Sequence, residues 1–388
     1  AGGRLVRIDV SGFRHEDIGH REARPGSDIQ LSIDLRIQQL AEEVLDDDPG
    51  SLVVMDPRNG DILALASAPG FDPNEFVPSI STKKWAAINN DDRKPLVNRS
   101  ISGAYPPGST FKPVVAFAAL ENAKAKSMTQ FSCPGYFELG KTRFRCWTRG
   151  QHGLLSMREA LKQSCNVYFY RLGLQVGKDY IYHMATALGL GSPTGIELPG
   201  ERKGLVPSSS WSRRVHGVGW RPGDTCNFSI GQGALTVTPL QMASVTATVA
   251  NGGHVYRPRL VKGVRASNAK NYKPLPPVIL NEMNWSSTSL EVIRGGMRDV
   301  VMAERGTGKL ARIDGVNISG KTGTAEYGPK ELNKKRGWMI AYAPSEAPRY
   351  AVALVVDDAV SGGVTVAPRI KKLMEGLFGV HKKSEGEG

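Results

Sequence analysis

The segment Tyr105-Pro106-Pro107-Gly108-Ser109-Thr110-Phe111-Lys112-Pro113 is the most informative stretch of this 388-residue sequence. Prolines suit the first turn of a helix, so the segment predicts a helix that begins near Ser109. Lys112 then lies one turn further along, on the same helical face as Ser109. A serine hydroxyl becomes a good nucleophile when a base removes its proton, and a lysine can do this when burial and nearby positive charge lower its pKa. The segment therefore predicts Ser109 as a nucleophile and Lys112 as its base.

An isolated Ser-x-x-Lys is common by chance as the exposed start of a helix, but two further motifs accompany it. Ser164-Cys165-Asn166 begins 55 residues after Ser109, and Lys321-Thr322-Gly323-Thr324 begins 157 residues after Ser164. The last motif lies in a strand-like run in which Gly320 and Gly323 are expected to leave room for the backbone of a ligand. Three such motifs in this order point to a single catalytic site.

Strand patterns occur at both ends of the chain and helical patterns lie between them. Ser51–Met55 and Asp61–Ser67 predict a hairpin around an Asp-Pro-Arg-Asn-Gly turn, and Asp34 is a predicted N-cap for a helix with Leu35, Leu40, Val44 and Leu45 on one face. Near the C-terminus the predicted strands are Ile318–Gly323, Gly337–Tyr342 and Tyr350–Val356, followed by a helix over Val366–Leu377. We therefore predict a mixed α/β (α+β) fold with an antiparallel sheet built from both ends of the chain, flanked by helices and carrying a helical subdomain.

The expected domain organisation has three parts. Residues 1–26 are polar and weakly patterned, and we interpret them as the remnant of a preceding N-terminal region. Residues 27–380 form the main domain. Residues 381–388 are charged and glycine-rich, and we expect them to be a disordered tail.

The composition is that of an ordinary globular protein with a basic surplus. Lys and Arg number 50 against 37 Asp and Glu, which gives a net charge of +13. The basic residues are scattered, and no zinc-finger spacing, aromatic RNA-binding strand or basic heptad accompanies them, so we expect no nucleic-acid partner. The longest apolar run has seven residues, Tyr350 to Val356, well short of the roughly 20 that a membrane-spanning helix needs.

The three motifs together resemble those of the penicillin-binding proteins and serine β-lactamases. Residues 105–113 are further similar to the nucleophile region of the class B, elongation-specific transpeptidases. The same class is indicated by three other segments: 54–64, 229–243 (Ser-Ile-Gly-Gln-Gly, then Val-Thr-Pro-Leu-Gln-Met-Ala) and 337–344. The resemblance spans residues 27 to 380, and Pro107 favours the elongation enzymes over their division-specific relatives.

The resemblance implies acyl transfer on peptidoglycan stem peptides that end in D-Ala-D-Ala. Ser109 would attack the penultimate D-Ala carbonyl, Lys112 would act as base, and Ser164 and Lys321 would pass the proton to the leaving amine. The implied substrate-binding residues are Asn166, which would hold the donor peptide, and Thr322, Gly323 and Thr324, of which the two threonines would hold its terminal carboxylate. β-Lactam antibiotics would acylate Ser109 and remain attached.

The resemblance also implies partners and a location. The expected partner is the membrane glycosyltransferase of the elongation complex (a RodA-like SEDS protein), and the expected site of action is the periplasmic face of the bacterial cytoplasmic membrane. There the protein would be held by an N-terminal helix absent from this chain. Residues 1–26 would belong to the pedestal region of such a protein.

Three alternatives remain open at this point. A serine β-lactamase of the same fold would need a base that activates a deacylating water, and the motifs identify none. A non-catalytic β-lactam sensor would share the pocket and couple its acylation to signalling. A basic scaffold or nucleic-acid protein would not be acylated by penicillin at all. The rate at which a penicilloyl complex is hydrolysed separates the β-lactamase from the other acylated proteins.

Three of the four cysteines are spaced with a histidine in a pattern that suits a metal. Cys133, Cys146, His152 and Cys165 fall within 33 residues, and three thiolates with one imidazole suit tetrahedral zinc. The spacing is not that of a standard zinc finger, so a Cys133–Cys146 disulfide and unpaired buried thiols stay open as alternatives. We predict a structural zinc ion, with no cofactor required for catalysis. Cys226 stands apart and is expected in the core.

Overall fold

The computed structural model describes residues 2–148, 150–332 and 334–380, so the predicted tail over 381–388 lies outside the described residues. The chain divides into two compact units. One consists of Ala1–Ser32 and Leu260–Pro276, and the other of Ile33–Arg259 and Pro277–Gly388. The sequence predicts a first boundary at residue 26, whereas the smaller unit extends to Ser32 and also includes Leu260–Pro276.

Within the described residues the strands are β1 (Gly3–Ile8), β2 (Arg14–Arg21), β3 (Asp28–Leu31), β4 (Gly50–Met55), β5 (Ile62–Ala68), β6 (Phe131–Cys133), β7 (Tyr136–Leu139), β8 (Thr142–Arg145), β9 (Gly153–Leu155), β10 (His254–Tyr256), β11 (Val261–Arg265), β12 (Lys273–Pro274), β13 (Ile279–Glu282), β14 (Ser319–Glu326), β15 (Lys335–Ala343) and β16 (Tyr350–Val356). The α-helices are α1 (Leu35–Leu45), α2 (Thr82–Asn90), α3 (Arg99–Ser102), α4 (Lys112–Glu121), α5 (Met157–Lys162), α6 (Asn166–Val176), α7 (Lys178–Ala187), α8 (Ser209–His216), α9 (Pro222–Ser229), α10 (Pro239–Asn251), α11 (Ser287–Met302) and α12 (Ala367–Phe378). No helix among the described residues is both long enough and apolar enough to cross a bilayer.

A five-stranded antiparallel sheet organises the larger unit, with the strand order β14-β15-β16-β4-β5. The predicted sheet from both ends of the chain is therefore confirmed, because β4 and β5 come from the N-terminal part and the other three from the C-terminal part. The central strands β4 and β16 are almost wholly buried, as their continuous apolar sequences require. Since β14 is at one end of this order, no strand among the described residues pairs with its outer edge.

Two helices cover one face of this sheet. Leu52 and Val54 of β4 join the same buried cluster as residues of α1 and α12. By strand alternation, Val53 and Met55 point to the opposite face, and α10 packs against β4 and β16. Helix α10 is buried at every position except its last, which makes it the central helix of the larger unit.

Helix α1 begins where the sequence predicts it, with one difference. The Asp34 carboxylate caps the helix by accepting hydrogen bonds from the backbone N–H groups of Arg36 (2.9 Å) and Ile37 (3.3 Å). Val44 and Leu45 are buried as expected, but Leu35 is 68% exposed. Leu35 is the first residue of the helix, so its side chain lies beyond the part of the face that meets the sheet.

The smaller unit consists of two separate small sheets. Strands β1 and β2 form a hairpin, and β3 pairs with β11, which in turn pairs with β12. Strand β1 lies within residues 1–26, which are only weakly patterned in sequence.

Candidate active site

Ser109 lies in a single turn of 3-10 helix, Gly108–Phe111, that runs directly into α4. The predicted helix start is therefore present, but the serine stands one turn before the α-helix, which begins at Lys112. Gly108 has φ = +55°, and a Cβ there would lie 2.6 Å from the carbonyl oxygen of Thr324. Only glycine allows the nucleophile turn to approach β14 this closely.

The Lys112 ammonium group is fully buried and is held by the second motif. Its Nζ donates to the Ser164 carbonyl oxygen (2.7 Å) and to Asn166 Oδ1 (2.8 Å), and it lies 3.3 Å from Ser164 Oγ. Burial lowers the pKa of Lys112 to about 8. A neutral amine has two N–H groups, so two donated bonds leave its lone pair free to accept a proton.

Lys321 approaches the same serine hydroxyl from the other side. Its Nζ donates to Ser164 Oγ (2.8 Å) and to the Thr322 carbonyl oxygen (3.0 Å). The pKa of Lys321 is held well below its usual range, mainly by burial and also by the positive charge of Lys112. Ser164 Oγ thus lies between two buried amines, an arrangement that can relay a proton between them. Ser164 itself has φ = +53°, the left-handed conformation that non-glycine residues rarely adopt.

The glycines of the third motif have a different role from the expected one. A Cβ on Gly320 would lie 2.7 Å from the Ile340 carbonyl oxygen, and a Cβ on Gly323 would lie 2.8 Å from the Pro107 carbonyl oxygen. Both glycines therefore make room for the protein's own backbone, not for a ligand. Gly323 allows β14 to pack against the nucleophile turn, which brings Ser109 alongside the free edge of the strand.

The three motifs line one cleft of about 380 Å³. Ser109, Ser164, Asn166, Thr322, Gly323 and Thr324 are all at its surface, and Lys112 and Lys321 lie buried behind Ser164. The cleft is also lined by residues outside the three motifs: Trp147, Ile230, Gln232, Gly306, Thr307, Lys309, Leu310, Ser361, Gly363 and Val364. None of the described lining residues is acidic, and Lys309 adds a positive charge, so the cleft favours an anionic ligand.

Two of these additional residues hold the third motif in place. Thr307 shares a hydrogen bond of 2.7 Å with the hydroxyl of Thr322, and Gln232 Nε2 donates to the Thr324 carbonyl oxygen (3.2 Å). The sequence offers a signal for Gln232, which lies in one of the segments that carry the family resemblance. It offers none for Thr307, since a Gly-Thr-Gly loop has no chemical signature of its own.

Cys133, Cys146, His152 and Cys165 are gathered in one cluster, with their ligand atoms all within 4.8 Å of one another. All four cysteines of the chain are free thiols, and Cys226 is buried apart from the cluster. The sulfurs of Cys133 and Cys146 each lie 3.5 Å from His152 Nδ1. Tetrahedral zinc with bonds of about 2.3 Å to sulfur and 2.0–2.1 Å to nitrogen would separate such atoms by about 3.5 Å, so the donor set fits zinc.

The thiols of this cluster also influence each other's ionisation. A hydrogen bond from Cys165 holds the pKa of Cys146 well below its usual range, and the same bond, with burial, raises the pKa of Cys165. One sulfur is thus stabilised as a thiolate, the form that binds metals.

The cysteine cluster is joined to the catalytic motifs through Cys165. This residue caps α6, because its sulfur accepts the backbone N–H of Tyr168 (3.4 Å), and it lies between Ser164 and Asn166. Trp147, which follows Cys146, donates its indole N–H to the Gln163 carbonyl oxygen (3.0 Å) and lines the cleft. The loop that carries Cys146 is therefore one wall of the catalytic cleft.

Comparison with known proteins points to one family. The model of the penicillin-binding protein transpeptidase domain matches residues 50–375. The peptidoglycan D,D-transpeptidase MrdA of Acinetobacter baumannii is 35% identical over 365 residues, which cover 90% of this chain and 54% of that protein. The chain thus spans about half the length of this curated relative.

Solved structures agree with this similarity. Helicobacter pylori PBP2, in its complex with MreC, has 30% identity and a TM-score of 0.83, over 97% of this chain and 69% of that one. Mycobacterium tuberculosis penicillin-binding protein A, as an imipenem acyl-enzyme complex, has 30% identity and a TM-score of 0.79, over 91% of this chain and 80% of that one.

Proposed function

Because this chain belongs to the penicillin-binding protein transpeptidase family, we propose that it is the catalytic domain of an elongation-specific peptidoglycan D,D-transpeptidase. The observation that carries the proposal is the arrangement of two buried lysines on either side of Ser164 Oγ, directly behind a cleft that Ser109 lines. A base, a proton relay and a nucleophile in one cleft are the parts that acyl transfer needs.

In the first half-reaction, Ser109 Oγ attacks the carbonyl carbon of the penultimate D-Ala. Neutral Lys112 takes the hydroxyl proton as the C–O bond forms. The backbone N–H groups of Ser109 and Thr324 stabilise the negative oxygen of the tetrahedral intermediate. The C–N bond to the terminal D-Ala then breaks, and its amine receives a proton through Ser164 and Lys321.

The substrate is held by groups on both sides of Ser109. Asn166 binds the donor peptide, and the free edge of β14 at Gly323 lies beside its backbone. The hydroxyls of Thr322 and Thr324 bind the terminal carboxylate. The absence of acidic residues among the described lining residues supports this part of the proposal, because a carboxylate ligand meets no like charge there.

In the second half-reaction, an amine from a neighbouring stem peptide attacks the acyl-enzyme and leaves a cross-link. A β-lactam acylates Ser109 in the same way, but its leaving group stays attached to the acyl part and the adduct persists. The described cleft lining has no carboxylate that could activate a hydrolytic water, which favours a transpeptidase over a β-lactamase.

We assign the reaction to the periplasmic face of the cytoplasmic membrane, where peptidoglycan strands are made and joined. The partner we propose is a RodA-like membrane glycosyltransferase that supplies the glycan, and the anchor is an N-terminal helix of a longer protein. The similarity to a PBP2 that forms a complex with MreC supports the elongation branch of the family. A full reading frame with no apolar segment of about 20 residues before this sequence would contradict the anchor.

We further propose that Cys133, Cys146, His152 and Cys165 hold one structural zinc ion. The fit of the donor set supports this, and the ion would supply a cross-link between the loop over 133–152 and the start of α6. Elemental analysis of the purified chain tests the proposal directly. One zinc per chain is the expected result, and a metal-free chain that lacks two titratable thiols would indicate the Cys133–Cys146 disulfide instead.

The test of the catalytic proposal is the intact mass of the chain after incubation with penicillin. The wild type is expected to gain the full mass of the antibiotic and to retain it for hours, whereas Ser109→Ala gains nothing. A labelled Ser109→Ala protein would refute Ser109 as the nucleophile. Rapid loss of the label from the wild type would indicate a β-lactamase.

A further inference from the structure

A second cavity, of about 340 Å³, lies between helices α8 and α9 and shares a wall with the catalytic cleft. We propose that it binds the acceptor stem peptide, the amine-bearing peptide that resolves the acyl-enzyme. This inference rests on the proposed transpeptidase function. The cavity is at the lower end of the range of about 300–1,000 Å³ that is typical of small-ligand sites.

Gln232 is the residue that lines both cavities. Gly231 and Gly233 on either side of it have φ = +72° and +76°, and a Cβ on Gly231 would lie 2.1 Å from the Gly108 carbonyl oxygen. The loop is therefore pressed against the nucleophile turn. Gln232 Nε2 donates to the Thr324 carbonyl oxygen (3.2 Å), so the boundary between the cavities stands at the Thr324 end of β14.

The reaction itself selects this end of the strand for the acceptor. The acceptor amine forms the bond that the leaving D-Ala amine has broken, so it must reach the acyl carbon from the side by which that amine departs. The departing D-Ala has its carboxylate at Thr322 and Thr324 in the proposed function. An acceptor that replaces it must extend past Thr324, and the second cavity lies beyond Gln232 at that end.

The step balances without any further reactant. The acceptor nitrogen forms a bond to the acyl carbon, and the bond from that carbon to Ser109 Oγ breaks. The amine proton passes through Lys321 and Ser164 to Lys112, and Lys112 gives a proton to Ser109 Oγ. The second cavity needs only to hold the rest of the peptide while its side-chain amine enters the cleft.

The lining of the second cavity suits a peptide that carries carboxylates. The indoles of Trp211 and Trp220 offer apolar surface, and Trp220 is fixed because its Nε1 donates to Thr225 Oγ1 (2.8 Å). Arg221 supplies a positive charge and His216 an imidazole that can form a hydrogen bond. Among the described lining residues Asp224 has the one carboxylate, and it accepts a hydrogen bond from the backbone N–H of Arg221 (2.8 Å).

The test uses the 388-residue chain after it has been fully acylated by penicillin, so that the donor site is filled. The probe is a synthetic stem tripeptide with a free side-chain amine on its third residue and a diazirine at its N-terminus. After irradiation, cross-linked peptides are identified by mass spectrometry. We expect cross-links within residues 207–234. The cross-link yield should be at least fivefold lower for a probe whose carboxylates are amidated.

Variants then distinguish the effect of the residues that line the cavity from the effect of positive charge elsewhere on helix α8. Arg221→Ala and His216→Ala are expected to lower the cross-link yield at least fivefold, and both should still be acylated by penicillin within twofold of the wild-type rate. The matched control is Arg213→Ala, which removes an exposed positive charge from the helix that carries His216 but not from the cavity lining. Its yield should equal that of the wild type.

The possible failures are distinguishable. A wild type that takes up no penicillin would overturn the proposed function itself. Normal penicillin uptake with no cross-link, with cross-links confined to other parts of the chain, or with an unchanged yield in Arg221→Ala and His216→Ala would overturn the acceptor site and leave the proposed function standing.

Discussion

At the scale of single residues, the chemistry of this site depends on the burial of two lysines. Lys112 and Lys321 are both fully buried, and each contacts Ser164 Oγ. Two ammonium groups this close to one hydroxyl would repel each other, so burial and mutual charge both favour neutral amines. The site thereby supplies a base at a pH where an exposed lysine would be protonated.

The first prediction concerns the pH dependence of acylation. Because the pKa of Lys112 is lowered to about 8, the neutral base accumulates as the pH rises through that value. At pH 7 only about a tenth of Lys112 would be neutral, and at pH 9 about nine tenths. The second-order rate constant for acylation by a β-lactam should therefore rise through about pH 8 and then level off.

Lys112→Met is the matching variant for this prediction. It should lower the acylation rate at least about 100-fold, the usual contribution of a general base. Stopped-flow measurement with a chromogenic β-lactam between pH 6 and 10 checks both statements. A flat pH profile, or a Lys112→Met protein acylated at the wild-type rate, would show that another group is the base.

At the scale of secondary-structure elements, one arginine links three segments around the cleft. The Arg336 guanidinium on β15 stacks between the rings of Tyr105 and Tyr327, at 4.3 Å and 3.9 Å from their centroids. Its Nε also donates to Asp357 Oδ1 (2.6 Å). Tyr105 precedes the nucleophile turn and Tyr327 follows β14, so Arg336 ties both catalytic segments to the sheet.

We expect Arg336→Met to loosen this link, because methionine keeps an unbranched apolar side chain but lacks the guanidinium group. The loss of two cation–π contacts and an ion pair should lower the free energy of unfolding by about 1–3 kcal/mol. The acylation rate constant at saturating penicillin should fall, because the cleft wall and the nucleophile turn are no longer held together.

The control for Arg336 is Arg349→Met. Arg349 is exposed and stacks on a single ring, that of Tyr350, at 5.4 Å. Urea unfolding and acylation kinetics of the two variants give the comparison. Equal, small effects of both substitutions would contradict the role assigned to Arg336.

The cysteine cluster acts at the same scale, since it joins β6, the loop after β8 and the start of α6. Cys146→Ser should abolish zinc binding, lower the unfolding temperature and slow acylation, although Ser109 and Lys112 are unchanged. The physical reason is that Cys165 lies between Ser164 and Asn166, so losing the cross-link frees both side chains. Metal content, thermal unfolding and acylation rate are measured together.

Cys226→Ala is the matching control for the cluster, because Cys226 is buried but lies outside it. It should keep the zinc ion and the acylation rate. If Cys146→Ser retained a full complement of zinc, the proposed ligand set would be wrong.

At the scale of the whole molecule, the sheet that joins the two ends of the chain supports the catalytic cleft. Leu354 on β16 is fully buried, and it pairs across the ladder with Leu52 on β4. Leu354→Ala should lower the free energy of unfolding by about 2–5 kcal/mol, as is usual for a leucine removed from a packed core. Below its unfolding transition the variant should be acylated at the wild-type rate.

The surface control for the core is Val360→Ala, at a side chain that is 69% exposed. Its effect on unfolding should stay within about 0.5 kcal/mol. Urea denaturation with tyrosine and tryptophan fluorescence measures both variants. A fall in the acylation rate of folded Leu354→Ala would mean that the core and the cleft are coupled more tightly than this packing implies.

The sheet from both chain ends, the family and the identity of the three motifs could all be predicted from the sequence. These features follow from local patterns, namely strand alternation, the helix cap at Asp34 and short runs of residues with specific chemistry. The sequence also predicted which four residues form the cysteine cluster, since their types match one metal's preferences.

How the motifs meet could not be predicted from the sequence and is visible only in the folded chain. Lys112, Ser164 and Lys321 are 52 and 157 residues apart in sequence, and nothing local specifies that both amines reach one hydroxyl. The same holds for Gly323, whose missing side chain admits the Pro107 carbonyl instead of a ligand, and for Gln232, which divides two cavities. The physical reason is that such contacts depend on how distant segments pack, and packing is set by the whole core.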